Sequence, residues 1–139
     1  MYGMRTLVSV LAALAIAALL VACSPEEGSH LDAVNAFRTS NGVPALRWEE
    51  GAYAKARAWS QKLANDGRLS HSRLSNGIPA GWRTLGENVA MNSSLEGALK
   101  ALERSPGHRA NMLNRAFTKI AVGVVHQDGR YWVTQVFIG

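Results

Sequence analysis

The stretch that decides the fold is Ile120-Ala121-Val122-Gly123-Val124-Val125-His126-Gln127-Asp128-Gly129-Arg130-Tyr131-Trp132-Val133-Thr134-Gln135-Val136-Phe137-Ile138. Two runs rich in β-branched and aromatic residues, 120–126 and 131–138, flank Gln127 to Arg130, and Asp-Gly between such runs signals a tight hairpin. Strand side chains alternate faces, so Ile120, Val122 and Val124 point one way while Ala121, Gly123 and Val125 point the other. On the partner strand Trp132, Val136 and Ile138 oppose Tyr131, Val133 and Phe137. Neither face is polar. A sheet apolar on both faces needs cover on both, and helices supply it, which predicts three layers.

The helices are read from periodicity and caps. Ser105-Pro106 opens a short helix, with proline at the first helical position and Ser105 as its cap. Before it, Ser93 and Glu96 form a capping-box pattern ahead of Leu95, Ala98, Leu99 and Leu102 in helical register. Residues 85–91 read as a short strand. The helix with the best signal carries Ala52, Ala56, Trp59 and Leu63 on one stripe and ends at Gly67. A first helix, capped by Ser29, shows Leu31, Val34 and Phe37 at helical spacing, stops at Gly42 and is blocked by Pro44. Between Arg68 and Gly86 the residues Ser70, Ser72, Ser75, Asn76, Gly77, Pro79 and Gly81 make a long irregular segment. Such loops in compact domains often carry function.

The N-terminus carries a different signal. Arg5 precedes a run from Leu7 to Ala22 that is apolar except for Ser9, the pattern of an export leader. The run is short for a membrane span, which takes ~20 residues. It ends in Leu20-Val21-Ala22-Cys23, which resembles the lipobox of bacterial lipoproteins. That resemblance implies cleavage before Cys23, lipidation of Cys23 and anchoring to the membrane outside the cytoplasm. The division expected is a leader over 1–22, the lipidated cysteine and a short tether over 23–29, and one domain over 30–139. With the single cysteine consumed no disulfide is available, so the domain stands on its core. That length suffices to bury roughly 60–70% of the unfolded surface. The formal net charge of +5 falls to +4 when Arg5 leaves with the leader. The basic residues are scattered, which suits a solvated surface or anionic envelope polymers and excludes a nucleic-acid footprint.

Four histidines occur. His30 and His126 read as ordinary surface residues. His71 lies in the long loop as Ser70-His71-Ser72, and His108 lies in Ser105-Pro106-Gly107-His108-Arg109-Ala110-Asn111-Met112-Leu113. Between them falls Gly86-Glu87-Asn88-Val89-Ala90. Together with the closing hairpin, these segments resemble the CAP superfamily: cysteine-rich secretory proteins, antigen 5 and plant pathogenesis-related class one proteins, in its short bacterial form. The likeness runs from about His30 to Ile138.

The resemblance implies an α+β fold, a three-layer α-β-α sandwich with a central, mainly antiparallel sheet, and a cleft lined by two histidines and two acids. The histidines carry over to His71 and His108 and one acid to Glu87. The second acid has no counterpart, because Ser75 and Asn76 stand near its place. Leu102 replaces a tryptophan common in the family. Asn88 and Arg109 join the cleft residues, with Asn88 and Asn111 also read as backbone braces.

Two functions follow. The first is binding without catalysis, of a lipid, a glycan or an envelope protein. The alternative is a metal-dependent hydrolase in which His71, His108 and Glu87 hold Zn²⁺ or another divalent ion and activate water. A serine nucleophile is not expected, since no G-x-S-x-G elbow occurs.

Overall fold

The computed structural model describes residues 23–139, and the leader read over 1–22 lies outside them. Along the chain run α1 (Pro25–Ser40), β1 (Arg47–Trp48), a 3-10 turn (Glu50–Ala52), α2 (Tyr53–Asp66), β2 (Leu85–Asn92), α3 (Leu95–Arg104), α4 (Pro106–Met112), β3 (Lys119–Gln127) and β4 (Arg130–Ile138). The hairpin turns on Asp128 and Gly129, both at positive φ (52° and 73°), the conformation whose twist matches paired strands. The strand order is β1-β3-β4-β2. The pairings are antiparallel apart from two residues of β1 alongside β3. No helix among the described residues is long and apolar enough to cross a membrane.

Both faces of the sheet are covered. Ala121, Val136 and Ile138 pack under Ala52 of the 3-10 turn and Ala56 of α2, and Val89, Val125 and Trp132 pack under Leu63 and Ala64 of α2. The opposite face carries Ile120, Val122, Val124, Val133 and Phe137. It meets Val34 of α1, Ala98, Leu99 and Leu102 of α3, and Met112 of α4. Among the described residues the layers are therefore one helix, four strands and three helices.

The close seat of α2 depends on one glycine. A Cβ on Gly123 would lie 2.3 Å from the backbone of Ala56, and the Ser60 hydroxyl donates to the Gly123 carbonyl at 2.8 Å. The neighbour is helix backbone, which cannot swing aside. Gly123→Ala is expected to cost about 1–3 kcal/mol, seen as a lower urea midpoint with an unchanged slope.

The first helix corrects the expected tether. Residues 25–28 are helical, and the cap is Ser24 rather than Ser29. The Ser24 side chain accepts from Glu27 N at 3.3 Å, and the Glu27 carboxylate accepts from Ser24 N at 2.7 Å. Glu27 is fully buried, and it also accepts from Tyr53 Oη (2.7 Å), Arg57 (2.9 Å) and the Val124 amide (3.1 Å). That last bond has a topological reason. β1 covers only the start of β3, so the open edge beyond it needs another acceptor. Burial pushes the Glu27 pKa up. The hydrogen bonds from Tyr53, Ser24 and Val124 and the Arg57 charge outweigh it and leave the pKa below its usual value.

His30 is also corrected. It is 2% exposed and accepts at Nε2 from Gln135 Nε2 at 2.8 Å; burial pushes its pKa down to about 4. Arg38 completes the buried face of α1. It donates to the carbonyls of Pro44 and Met112 (2.8 Å each), Asn114 (3.1 Å) and Phe117 (3.3 Å), and so fastens α1 to the α4–β3 connection. The cap of α3 is Ser94, whose Oγ accepts from Gly97 N at 3.0 Å. Ser93 and Glu96 do not close the expected box.

Candidate functional site

The residues expected to line a cleft are gathered about β2, an edge strand of the sheet. Consecutive strand residues face opposite sides, so Glu87 and Asn88 straddle the sheet edge and each serves one histidine. Glu87 lies on the α2 side, where the loop after α2 brings His71. The His71 Nδ1–H donates to Glu87 Oε1 at 2.9 Å, as does the Ser72 amide at the same distance. The Ser72 hydroxyl donates to Glu87 Oε2. The Glu87 side chain is 3% exposed while that of His71 is 63% exposed, so the carboxylate stands behind the imidazole and fixes its orientation.

Asn88 lies on the other side, fully buried. It donates to the backbone carbonyl of His108 at 3.0 Å and to Gln135 Oε1 at 3.0 Å, and it accepts from Asn111 Nδ2 at 2.9 Å. Asn111 also reaches the Glu87 carbonyl at 3.4 Å. Because Gln135 in turn bonds His30, an unbroken amide chain runs from the buried face of α1 to the backbone of His108. Asn88 is thus a brace beneath the cleft rather than a group offered to a ligand.

Ser105 has extended backbone at the start of α4, but its hydroxyl makes no cap bond. It shares a 2.8 Å hydrogen bond with His108 Nδ1. Burial first, and then the charge of His71, lower the His108 pKa. In both rings the protein engages Nδ1, which leaves Nε2 for a ligand.

Arg109 stands elsewhere. Its guanidinium lies 4.8 Å from the Phe37 ring centroid and bonds Asn41 Oδ1 at 3.3 Å and the Glu103 carbonyl at 3.4 Å, so it packs α4 against α1. His126 is exposed at the hairpin end and stacks on Tyr131. Leu102 is core, and Ser75 and Asn76 lie exposed in the loop.

A three-ligand metal set does not fit this donor arrangement. Glu87 has both oxygens turned to His71 and Ser72, and among the described residues no group of three or more His, Cys, Asp or Glu converges as ligands. Two imidazoles remain, one short of the three protein ligands of catalytic zinc sites. Nor do the described residues form a serine relay. Ser105–His108 has no carboxylate behind it, and His71–Glu87 has its serine on the acid rather than on the ring.

The sequence profile of the cysteine-rich secretory protein (CAP) family matches residues 31–137. The chain belongs to the CAP family. YkwD of Bacillus subtilis, described as uncharacterized, is 35% identical over 125 residues, which cover 84% of this chain and 48% of YkwD. This CAP chain therefore spans about half the length of that relative. Among solved structures, an extracellular SCP-domain protein of Bacillus anthracis superposes with a TM-score of 0.71 at 30% identity, over 81% of this chain and 40% of that one. NaASP2, crystallised with Zn²⁺, shares the fold with a TM-score of 0.59 at 17% identity, over 82% of this chain and 80% of that one.

Glu27, Arg38 and Gln135 are structural partners absent from the sequence-based expectations, and His30 and Ser72 take roles that those expectations did not give them. For Glu27 a signal existed: Ser24-Pro25-Glu26-Glu27 is a capping box with proline at the first helical position.

Proposed function

We propose that this CAP domain is a lipid-anchored extracytoplasmic binding module whose cleft contacts an anionic envelope glycan through Nε2 of His71 and His108. The observation that carries the binding reading is the state of Glu87. A general base needs a free lone pair aimed at its proton, and this carboxylate is occupied by His71 and by both donors of Ser72. Its chemistry is to hold His71 with Nδ1 protonated, which makes Nε2 an acceptor for a hydroxyl or amide. The metal-dependent hydrolase alternative needs a third ligand that the donor set does not supply.

The choice of glycan over lipid rests on the hollow beside Ser72. About 390 Å³ in volume, it is lined by Lys55, Trp59, Lys62 and Arg73 among others. Trp59 is fixed by a 2.9 Å bond from its Nε1 to the Ser70 carbonyl. The Lys62 ammonium stands 5.7 Å from the Trp59 ring centroid, and this cationic rim beside an aromatic wall complements a sugar bearing carboxylate or phosphate. The relative from Bacillus anthracis, itself extracellular, supports the location.

Calorimetry of the mature chain against charged and neutral wall-glycan fragments and lipid vesicles tests this. Binding of an anionic fragment is expected, weakened about tenfold or more by His71→Ala with His108→Ala, the loss of two hydrogen bonds. Unchanged affinity in the double variant, or binding to vesicles alone, would sink the proposal.

A further inference from the structure

The anchor and the cleft lie at opposite corners of the sheet. Cys23 is followed at once by Ser24, whose amide is held by Glu27 at 2.7 Å, and Glu27 in turn accepts from Val124 on the open edge of β3. No slack separates the cysteine from the folded domain. The cleft sits on β2, two strands away in the order β1-β3-β4-β2, a span of about 10 Å at normal strand spacing. It is also displaced along the strands. Glu87 pairs with Val136 and Val136 with Ala121, three residues from Val124 and away from the hairpin turn, about 10 Å further.

From this juxtaposition we infer that the domain stands directly on the bilayer that holds Cys23, with the open edge of β3 against the lipid headgroups and the His71–His108 cleft turned to the aqueous side. This rests on the lipid-anchor reading above. The standing corner has the chemistry of a headgroup contact: Ser24, Glu26, Arg57, Gln61, His126 and Tyr131 border a hollow of about 270 Å³ there, with an acid and a base to meet the two charges of a zwitterionic headgroup. A flexible tether would let the domain tumble and present its cleft to either side. A capped helix starting two residues after the lipidated cysteine does not. The orientation also defines the ligand further: it reaches the cleft from outside the leaflet that carries the protein.

The test uses the full-length chain in membranes and a maleimide bearing a long polymer. Gln61→Cys lies beside the anchor and Ala110→Cys lies two residues beyond His108 on α4, and both positions are exposed. The only native thiol, Cys23, is consumed by the lipid. Position 110 is expected to label several-fold faster than position 61. Inserting about 20 Gly/Ser residues between Cys23 and Ser24, a reach of roughly 25 Å, is expected to bring the two rates together. Equal rates without the insertion, or a difference that survives it, would overturn the orientation while leaving the anchor intact. A chain found in the soluble fraction, like a Cys23→Ala control, would remove the anchor and the orientation together.

Discussion

Glu27→Ala is expected to lower stability at pH 7 by about 3 kcal/mol or more. The substitution orphans the Val124 amide and the Tyr53 hydroxyl in the interior, at about 1–3 kcal/mol for each unsatisfied buried group, and it removes half of the α1 capping box, worth about 1 kcal/mol. The exposed side of Arg57 adds little, because its guanidinium turns to water. Urea denaturation gives the number, and a loss under about 1 kcal/mol would mean that water satisfies the same donors. The pH dependence has a definite sign. The Glu27 pKa is lower folded than its ordinary 4.5, so the charged form favours the folded state. That stability is present above about pH 4.5 and disappears as pH falls through the lower folded value. Glu27→Gln should flatten the acid limb in that range.

The second large effect belongs to His30 and falls in a different window. Its pKa drops from 6.5 to about 4 on folding, because a cation at that depth has lost its water and finds Gln135 donating to its ring. Between these values the unfolded chain binds a proton that the folded chain refuses, so stability falls as pH falls from 6.5 to about 4 and levels off below. At 1.36 kcal/mol per pKa unit the loss is about 3 kcal/mol. His30→Gln, which retains a hydrogen-bonding side chain without a titrating ring, should remove most of it. Urea midpoints measured at pH 7 and 4.5 decide the matter. Equal losses in wild type and variant would place the acid sensitivity in other groups.

The contrast between α1 and the hairpin explains what a reader of the sequence sees and what stays hidden. The hairpin announces itself because both of its faces are buried in apolar partners, so alternation, turn chemistry and two-sided cover all agree. The α2 helix is legible for the same reason. The buried stripe of α1 is Glu27, His30, Val34 and Arg38, three of them polar. Hydrophobic periodicity therefore selects the neighbouring line of Leu31, Val34 and Phe37 and misses how deep the helix sits. Polar side chains are tolerated there because each meets fixed partners: an open strand edge for Glu27, Gln135 for His30 and four carbonyls for Arg38.

The cleft divides in the same way. His71, Glu87 and His108 stand out through the motif segments that carry them. Their roles depend on which side of β2 each neighbour lies. That placement turns Glu87 into the support of His71, Asn88 into the support of the His108 backbone and Arg109 toward Phe37. Spacing along the chain holds no record of that geometry. The serines show it too. Ser105 has the sequence of a cap and the structure of a histidine partner.

Nitrogen-15 NMR of the histidine side chains measures the shared cleft most directly. In wild type the neutral form of the His71 ring should carry its proton on Nδ1, toward Glu87. His108 should titrate below its ordinary range and move upward when His71→Ala removes the neighbouring charge, while staying depressed by its remaining burial. A His71 ring protonated on Nε2, together with a His108 midpoint indifferent to that substitution, would mean that the two imidazoles do not face one ligand.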